Sequence, residues 1–142
     1  MGLELVEYEQ GDVYRVKIRL GDPLGGSVTD LKQPAWTLLD EEGNALLCFS
    51  ILPEGTSGIA TFFAYVSDDA RGHGHYMLKT GRRIVERSFK HLNLHRIQAI
   101  VRADKVEYQR WIELLGFEKE GLMRKAAANK SDVWLYSRVS ED

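Results

Sequence analysis

The chain has one cysteine, Cys48, and only three prolines in 142 residues. A single thiol makes no internal bridge, so the fold must close on a hydrophobic core of its own, and 142 residues suffice for one. No stretch approaches the roughly 20 consecutive apolar residues of a membrane helix. Positions 1–11 carry acidic residues where a secretory signal has an apolar run, and a reducing, cytoplasmic setting is the expectation. An excess of one charge is also missing. The 19 basic and 21 acidic side chains leave -2, which gives no overall field to draw the protein onto nucleic acid or anionic lipid.

What is present is patterned as an ordinary α/β or α+β domain, with 44% hydrophobic and 28% charged residues, and one domain over 1–142 is the expectation. Residues 3–8 suit a short strand, and 13–20 alternate in a way that suits either strand or helix. Gly21, Asp22, Pro23, Gly25 and Gly26 place a loop over 21–33, with room for a helical turn at 28–32. Two apolar runs, 35–39 and 45–52, flank the acidic glycine turn Asp40-Glu41-Glu42-Gly43-Asn44 and read as a hairpin. The second run is apolar almost throughout, as in a strand covered on both faces, and Cys48 within it reads as a small buried hydrophobe.

A further strand is expected at 59–66, rich in β-branched and aromatic residues. The period then changes. Leu78, Gly81, Val85, Ser88 and Leu92 share one helical face, while Lys79, Arg82, Arg83, Glu86 and Arg87 share the other, which predicts an amphipathic helix over 74–91. A strand follows at 96–101, then a helix with Asp104 as its expected N-cap and Gly116 as its stop, then strands at 117–123 and 133–139. The result is a mixed sheet with helices packed on it.

The segment Tyr65-Val66-Ser67-Asp68-Asp69-Ala70-Arg71-Gly72-His73-Gly74-His75-Tyr76 joins a strand to a helix through two glycines. Amides at a helix N-terminus lack partners within the helix and lie at the positive end of its dipole, so this geometry takes an anion. A P-loop would need Lys-Ser or Lys-Thr after the last glycine, where His75-Tyr76 stands, and the dinucleotide fingerprint would need a glycine where Met77 stands. Nucleoside triphosphatases and Rossmann enzymes are thereby disfavoured. By itself the turn is equally a tight connection.

Arg71-x-x-Gly74 resembles the Arg/Gln-x-x-Gly-x-Gly/Ala signature of the GNAT (Gcn5-related) N-acetyltransferases. The runs His95-Arg96-Ile97-x-Ala99-x-Val101 and Gly116-Phe117-Glu118-Lys119-Glu120-Gly121-Leu122-Met123-Arg124 are similar to the second half of the ribosomal-protein N-terminal acetyltransferases of that superfamily. The resemblance implies a GNAT fold, one mixed, mostly antiparallel sheet of six or seven strands flanked by helices, and acetyl-CoA as co-substrate with an amine acceptor. It implies that the strand ending at Val66 splays from its neighbour, so that the backbone of Ala64 and Val66 pairs with the pantetheine arm while amides of Arg71, Gly72, His73, Gly74, His75 and Tyr76 hold the diphosphate. The Val66 amide then also faces the developing oxyanion.

Departures from the family are equally specific. Tyr76 replaces a small residue and would crowd the helix start. His73 and His75 add charge near a phosphate if protonated, offer a metal two imidazoles, or are plain exposed loop residues. Lys105 stands where the family commonly has an Asn that touches the cofactor, and Ile112 stands where it has a Tyr that protonates the leaving thiolate. Glutamates that relatives use as bases fall at Ile100 and Ala60. Tyr108, one turn before Ile112 on the same face, is the nearest ionisable replacement, and is otherwise an aromatic packing with Trp111 and Leu115. Asp68, Asp69 and Asp132 are open choices for removing the amine proton.

Two readings follow. One is an N-acetyltransferase moving an acetyl group to a primary amine of a protein N-terminus, a Lys or a small molecule. The other is a GNAT-fold binding or structural protein without catalysis, since Gln109 to Phe117 is loosely similar to GNAT-like proteins carried by phages. Trp36, Trp134 and Tyr136 are the natural residues of a homodimer interface if exposed. Neither a metal site nor a nucleic-acid partner is expected.

Overall fold

The computed structural model describes residues 2–16, 29–70 and 72–141. Seven strands form one sheet: β1 (Glu4–Glu7), β2 (Ala35–Leu39), β3 (Ala45–Pro53), β4 (Ile59–Val66), β5 (Arg96–Arg102), β6 (Glu118–Met123) and β7 (Val133–Val139). Their spatial order is β1-β2-β3-β4-β5-β7-β6. Every neighbouring pair is antiparallel except β4 and β5. A parallel pair needs a long crossover, and helix α1 (Gly74–His91) supplies it. Helix α2 (Val106–Leu114) then links β5 to β6. The fold class is α/β with a mixed sheet, as the patterning predicted.

Most element bounds match the sequence reading, and three places differ. Residues 13–16 form neither strand nor α-helix: a 3₁₀ turn spans Asp12–Arg15, held because the Asp12 carboxylate accepts the Glu9 N–H at 2.9 Å. Residues 29–32 carry no helical turn, while 17–28 lie outside the described residues. Asp104 does not cap α2. Its carboxylate is taken by the Arg102 guanidinium at 2.7 and 2.9 Å, and Lys105 occupies the cap position.

Gly116 ends α2 as expected, at φ +95°. Its N–H donates to the Glu113 carbonyl and that of Phe117 to the Ile112 carbonyl, the paired bonds of a left-handed helix stop. Arg82 Nε reaches the Leu114 carbonyl at 2.8 Å and Arg138 Nη1 the Leu115 carbonyl at 3.1 Å. Two cations from α1 and β7 thus close the negative end of α2.

The sheet is covered on both faces over β2–β4. Leu47, Phe49, Ile51, Ala60, Ile97 and Ala99 pack beneath the buried face of α1, Met77, Ile84 and Val85, and beneath Ile112 and Leu115 of α2. On the reverse face Cys48, Tyr65 and Ala45 meet Tyr8, Val13 and Val16. Cys48 is fully buried, and burial pushes its thiol up to about 11, so it is a core residue rather than a nucleophile. Beside it the Thr37 hydroxyl donates to Asp12 at 2.7 Å, and Arg15 pairs with Asp12 at 3.3 Å. Burial opposes the Asp12 charge, yet these bonds together with the Glu9 amide hold the carboxyl below its usual range.

Tyr136 is wholly buried, its hydroxyl donating to Glu113 at 2.7 Å, which removes it from any interface. Trp36 stacks on Phe49 at 5.2 Å and Trp134 lies under Lys119 Nζ at 4.1 Å, so both are half-buried in this fold.

At the other end of the sheet Arg96 grips Glu120 in two bonds, 2.6 and 2.9 Å, and the Ser137 hydroxyl donates to the same carboxylate at 2.5 Å. Arg96, then Ser137, bring the Glu120 carboxyl down to about 2. A carboxyl depressed in the folded state stabilises it above the unfolded value near 4.5, and that contribution fades as pH falls toward about 2. In urea titrations of the protein and its Glu120→Gln variant, the stability difference should be constant above pH 5 and shrink between pH 4.5 and 2.

Candidate functional site

The parallel ladder between β4 and β5 is short. Register pairs Ile59 with Arg96, Ala60 with Ile97 and Thr61 with Gln98, and beyond these no β5 residue stands opposite β4. Both strands continue, however, because each is held along its far side: β4 pairs with β3 as far as Val66, and β5 pairs with β7 as far as Arg102. The strands therefore part, and a cleft opens between them.

Backbone direction within the cleft follows from alternation. The Ser67 N–H donates to the Leu46 carbonyl at 2.8 Å, and the Ile59 carbonyl accepts the Glu54 N–H at 2.8 Å. Odd-numbered residues of β4 thus turn their peptide groups to β3. The N–H and C=O groups of Phe62, Ala64 and Val66 turn the other way, into the gap.

A cavity of about 280 Å³ occupies this gap, close to the lower end of ligand pockets at roughly 300 Å³. Ala64, Val66, Asp68, Gly72 and Gly74 form one wall, Ile100 and Arg102 of β5 another, and Glu107, Tyr108, Trp111 and Ile112 of α2 a third. A Cβ built on Gly74 or Gly72 meets nothing within 4 Å, so both glycines border open space. Gly72 sits at φ +90°, a conformation that glycine alone adopts without strain.

Helix α1 aims its N-terminus at this space. Its first internal bond runs from the Met77 N–H to the His73 carbonyl at 3.0 Å, so the amides of Gly74, His75 and Tyr76 have no partner within the helix. The first turn has no acidic residue, and no side chain caps it. The arrangement offers three donors and a positive dipole end to an anion.

Of the residues singled out in the sequence, the structure brings together Ala64, Val66, Gly72, Gly74 and Tyr108 around one cavity. Arg71 lies outside the described residues. His73, His75, Tyr76 and Lys105 do not line the cavity. The His73 amide is engaged by the Ala70 carbonyl at 3.0 Å, and the Lys105 amide by the Arg102 carbonyl at 3.1 Å. Tyr76 does not crowd the helix start, since its side chain is 40% exposed. Among the described residues no three His, Cys, Asp or Glu side chains gather in reach of one metal ion.

Asp68 also lines the cavity, whereas Asp132 is tied into the β6–β7 turn by the Lys125 N–H at 2.9 Å. Phe62, Phe63, Arg102, Glu107 and Trp111 also line the cavity, and no motif in the sequence marks them. The alternation of β4 and the helical period of α2 were legible, but which faces converge depends on where the β4–β5 ladder stops.

Tyr108 is half-buried. Burial first, and then the charges of Asp68 and Glu107, push its phenol above the ordinary tyrosine value, so it carries its proton at neutral pH. The wall at this point therefore combines a proton-holding hydroxyl, a carboxylate and a row of inward peptide groups.

No family model and no curated protein matches the chain. Solved structures do match it. An acetyltransferase (GNAT family) from Bacillus anthracis is 17% identical with a TM-score of 0.76, covering 100% of this chain and 97% of that one. Spermidine N-acetyltransferase from Vibrio cholerae, in complex with CoA and spermine, is 16% identical with a TM-score of 0.72, covering 97% and 95%. The ribosomal-protein-S5-alanine acetyltransferase of Vibrio fischeri is 22% identical with a TM-score of 0.65, covering 76% of this chain. The chain spans only 62% of the length of that last protein. The fold is that of the GNAT acetyltransferases.

The charge beside Tyr108 can be read directly. In an alkaline absorbance titration, taken as the difference from Tyr108→Phe, the Tyr108 midpoint should lie above the ordinary value near 10, and Asp68→Asn should lower it.

Proposed function

We propose that the protein is a coenzyme A-dependent N-acetyltransferase that moves an acetyl group to a primary amine. The observation that carries this reading is the opened β4–β5 gap with the first-turn amides of α1, which have no partner within the helix, at its mouth. The solved structures of the same fold include one with CoA bound, which supports the choice of co-substrate. The reading treats 1–142 as one domain, supported by the single sheet that all seven strands share. Among the described residues no helix is long and apolar enough to cross a membrane; a cytoplasmic enzyme acting on a protein N-terminus, a Lys or a small amine is the setting we infer.

Acyl-coenzyme A would supply an activated thioester carbonyl when bound. The amides of Gly74, His75 and Tyr76 would hold its diphosphate, and the inward peptide groups of Ala64 and Val66 would hold the pantetheine arm. The Val66 N–H would be the donor for negative charge on a bound thioester's carbonyl oxygen. Asp68 would take the proton lost by the attacking amine, and Tyr108, protonated at neutral pH, would hold the proton for the departing sulfur. Holding both reactants in the cleft provides the rest of the acceleration.

One observation favours a second reading, a binding module without turnover. Ile112, where the family has its tyrosine acid, is buried and apolar.

Two variants separate these readings. Gly74→Glu starts from a position where an added Cβ meets no atom within 4 Å and brings a carboxylate to the phosphate donors, and calorimetric titration should show CoA affinity falling more than tenfold in a folded protein. Unchanged affinity would overturn the assignment of the loop. Tyr108→Phe should lower kcat on an amine panel by about 10²-fold with little change in the KM for the acyl donor. CoA binding without turnover on any amine would select the binding module.

A further inference from the structure

The cavity does not stop at one face of the sheet. Side chains alternate along a strand, and Phe62, Ala64, Ala99 and Val101 pack on the face that α1 and α2 cover. Phe63, Ile100 and Arg102 fall at the alternate positions and so turn to the reverse face, yet they line the same cavity. Because no ladder joins β4 to β5 beyond Thr61 and Gln98, the space passes between the strands and has a second mouth. Phe63 stands on its β4 rim, with its ring edge-on to Tyr65 at 5.0 Å. Ile100, 37% exposed, stands on its β5 rim.

Among the described residues Arg102 is the one cation that lines the cavity. Its side chain is 12% exposed and stays charged at any working pH. Asp104, whose side chain is 57% exposed, accepts from Nε and Nη2 at 2.9 and 2.7 Å. These two bonds fix the plane of the guanidinium and use one edge of its fork. Among the described residues Nη1 has no partner, so the edge formed by Nη1 and Nη2 is left for a second planar anion. After burial, Asp68 and Glu107 raise and Arg102 lowers the proton affinity of the Tyr108 hydroxyl. Both signs of charge therefore surround one reacting point.

A polyamine or a lysine side chain would bring a cation alone and leave the guanidinium facing like charge. A peptide N-terminus would bring a neutral amide to the same edge. An amine with a carboxylate one carbon away meets both signs of charge at once. We infer that the acceptor is a free α-amino acid with an apolar side chain, entering by the reverse-face mouth, its carboxylate on the Nη1–Nη2 edge of Arg102 and its side chain against Phe63 and Ile100. The inference rests on the acetyltransferase reading above and narrows its acceptor. The ammonium group gives one proton to Asp68 before attack, and its nitrogen bonds to the acetyl carbon as the C–S bond breaks. The second proton it loses in becoming an amide balances the one gained by sulfur. An N-acetylamino acid and free CoA leave.

The test compares L-leucine, L-leucinamide and isopentylamine, which share an amine and a branched alkyl group while only the first has a carboxylate. Thiol release from acetyl-CoA by the whole chain should give a kcat/KM at least tenfold higher for leucine than for either of the others. Arg102→Gln should bind CoA as before in calorimetric titration and lose that preference, through a raised KM for leucine. Equal or faster release with a carboxylate-free amine overturns the inference and leaves the acetyltransferase reading standing. So does a preference for leucine that persists in Arg102→Gln with CoA still bound, or release with a peptide N-terminus and none of the three. Absence of CoA binding, or of release with every amine, overturns both.

Discussion

The structure depends on the place where one parallel ladder ends. Peptide N–H and C=O groups inside a sheet normally pair on both sides, and leaving them unmatched away from water is costly. Here β3 secures one side of β4 and β7 one side of β5, so neither strand needs the other beyond Thr61 and Gln98. Past that point the inner peptide groups of β4 are turned toward a space that an extended amide-bearing molecule can fill as a surrogate strand. Helix α1 is bound to the same geometry, since the parallel step from β4 to β5 requires a crossover that begins where β4 ends. One topological fact therefore brings a row of backbone groups and a positive helix end to the same opening.

A cleft of this kind weakens a sheet at its centre, and the surrounding structure compensates on three sides. On the reverse face the bonds among Asp12, Thr37 and Arg15 pin the 3₁₀ turn over β2 and β3. Across the far edge, the Arg96, Glu120 and Ser137 group ties β5, β6 and β7 into one plate. Under the helices an aromatic chain runs from Trp36 through Phe49 and Phe62 to Phe117, with ring centroids 5.2, 5.9 and 6.0 Å apart. This chain bridges the half of the sheet before the gap to the segment after α2.

Local pattern carried a large part of the fold. The hairpin, β4, β7 and α1 declare themselves through alternation, turn residues and a one-sided apolar stripe, all of which act within a few residues of sequence. The misreadings arose where a side chain had a nonlocal or competing partner. Asp104 has the chemistry of a cap, but Arg102 two residues away takes its carboxylate first. Tyr136 has the composition of an interface, but its partner Glu113 comes from another element and draws it inside. In the site, Gly72, Gly74, Val66 and Ala64 were legible because the glycine turn and strand end are contiguous. The wall that α2 contributes was not, because it meets the strand end only where the β4–β5 ladder stops, which no local pattern marks.

The meeting of the two helices sets the size of the cleft. Gly81 of α1 and Leu115, just past the end of α2, both face it, and a single methyl group on Gly81 would come within 2.9 Å of the Leu115 Cδ2 atom. Position 81 is thus a dial: one carbon added two turns into α1 presses on a leucine of the cavity wall and changes the volume left for a guest, so ligand preference in this scaffold can drift by the smallest of mutations.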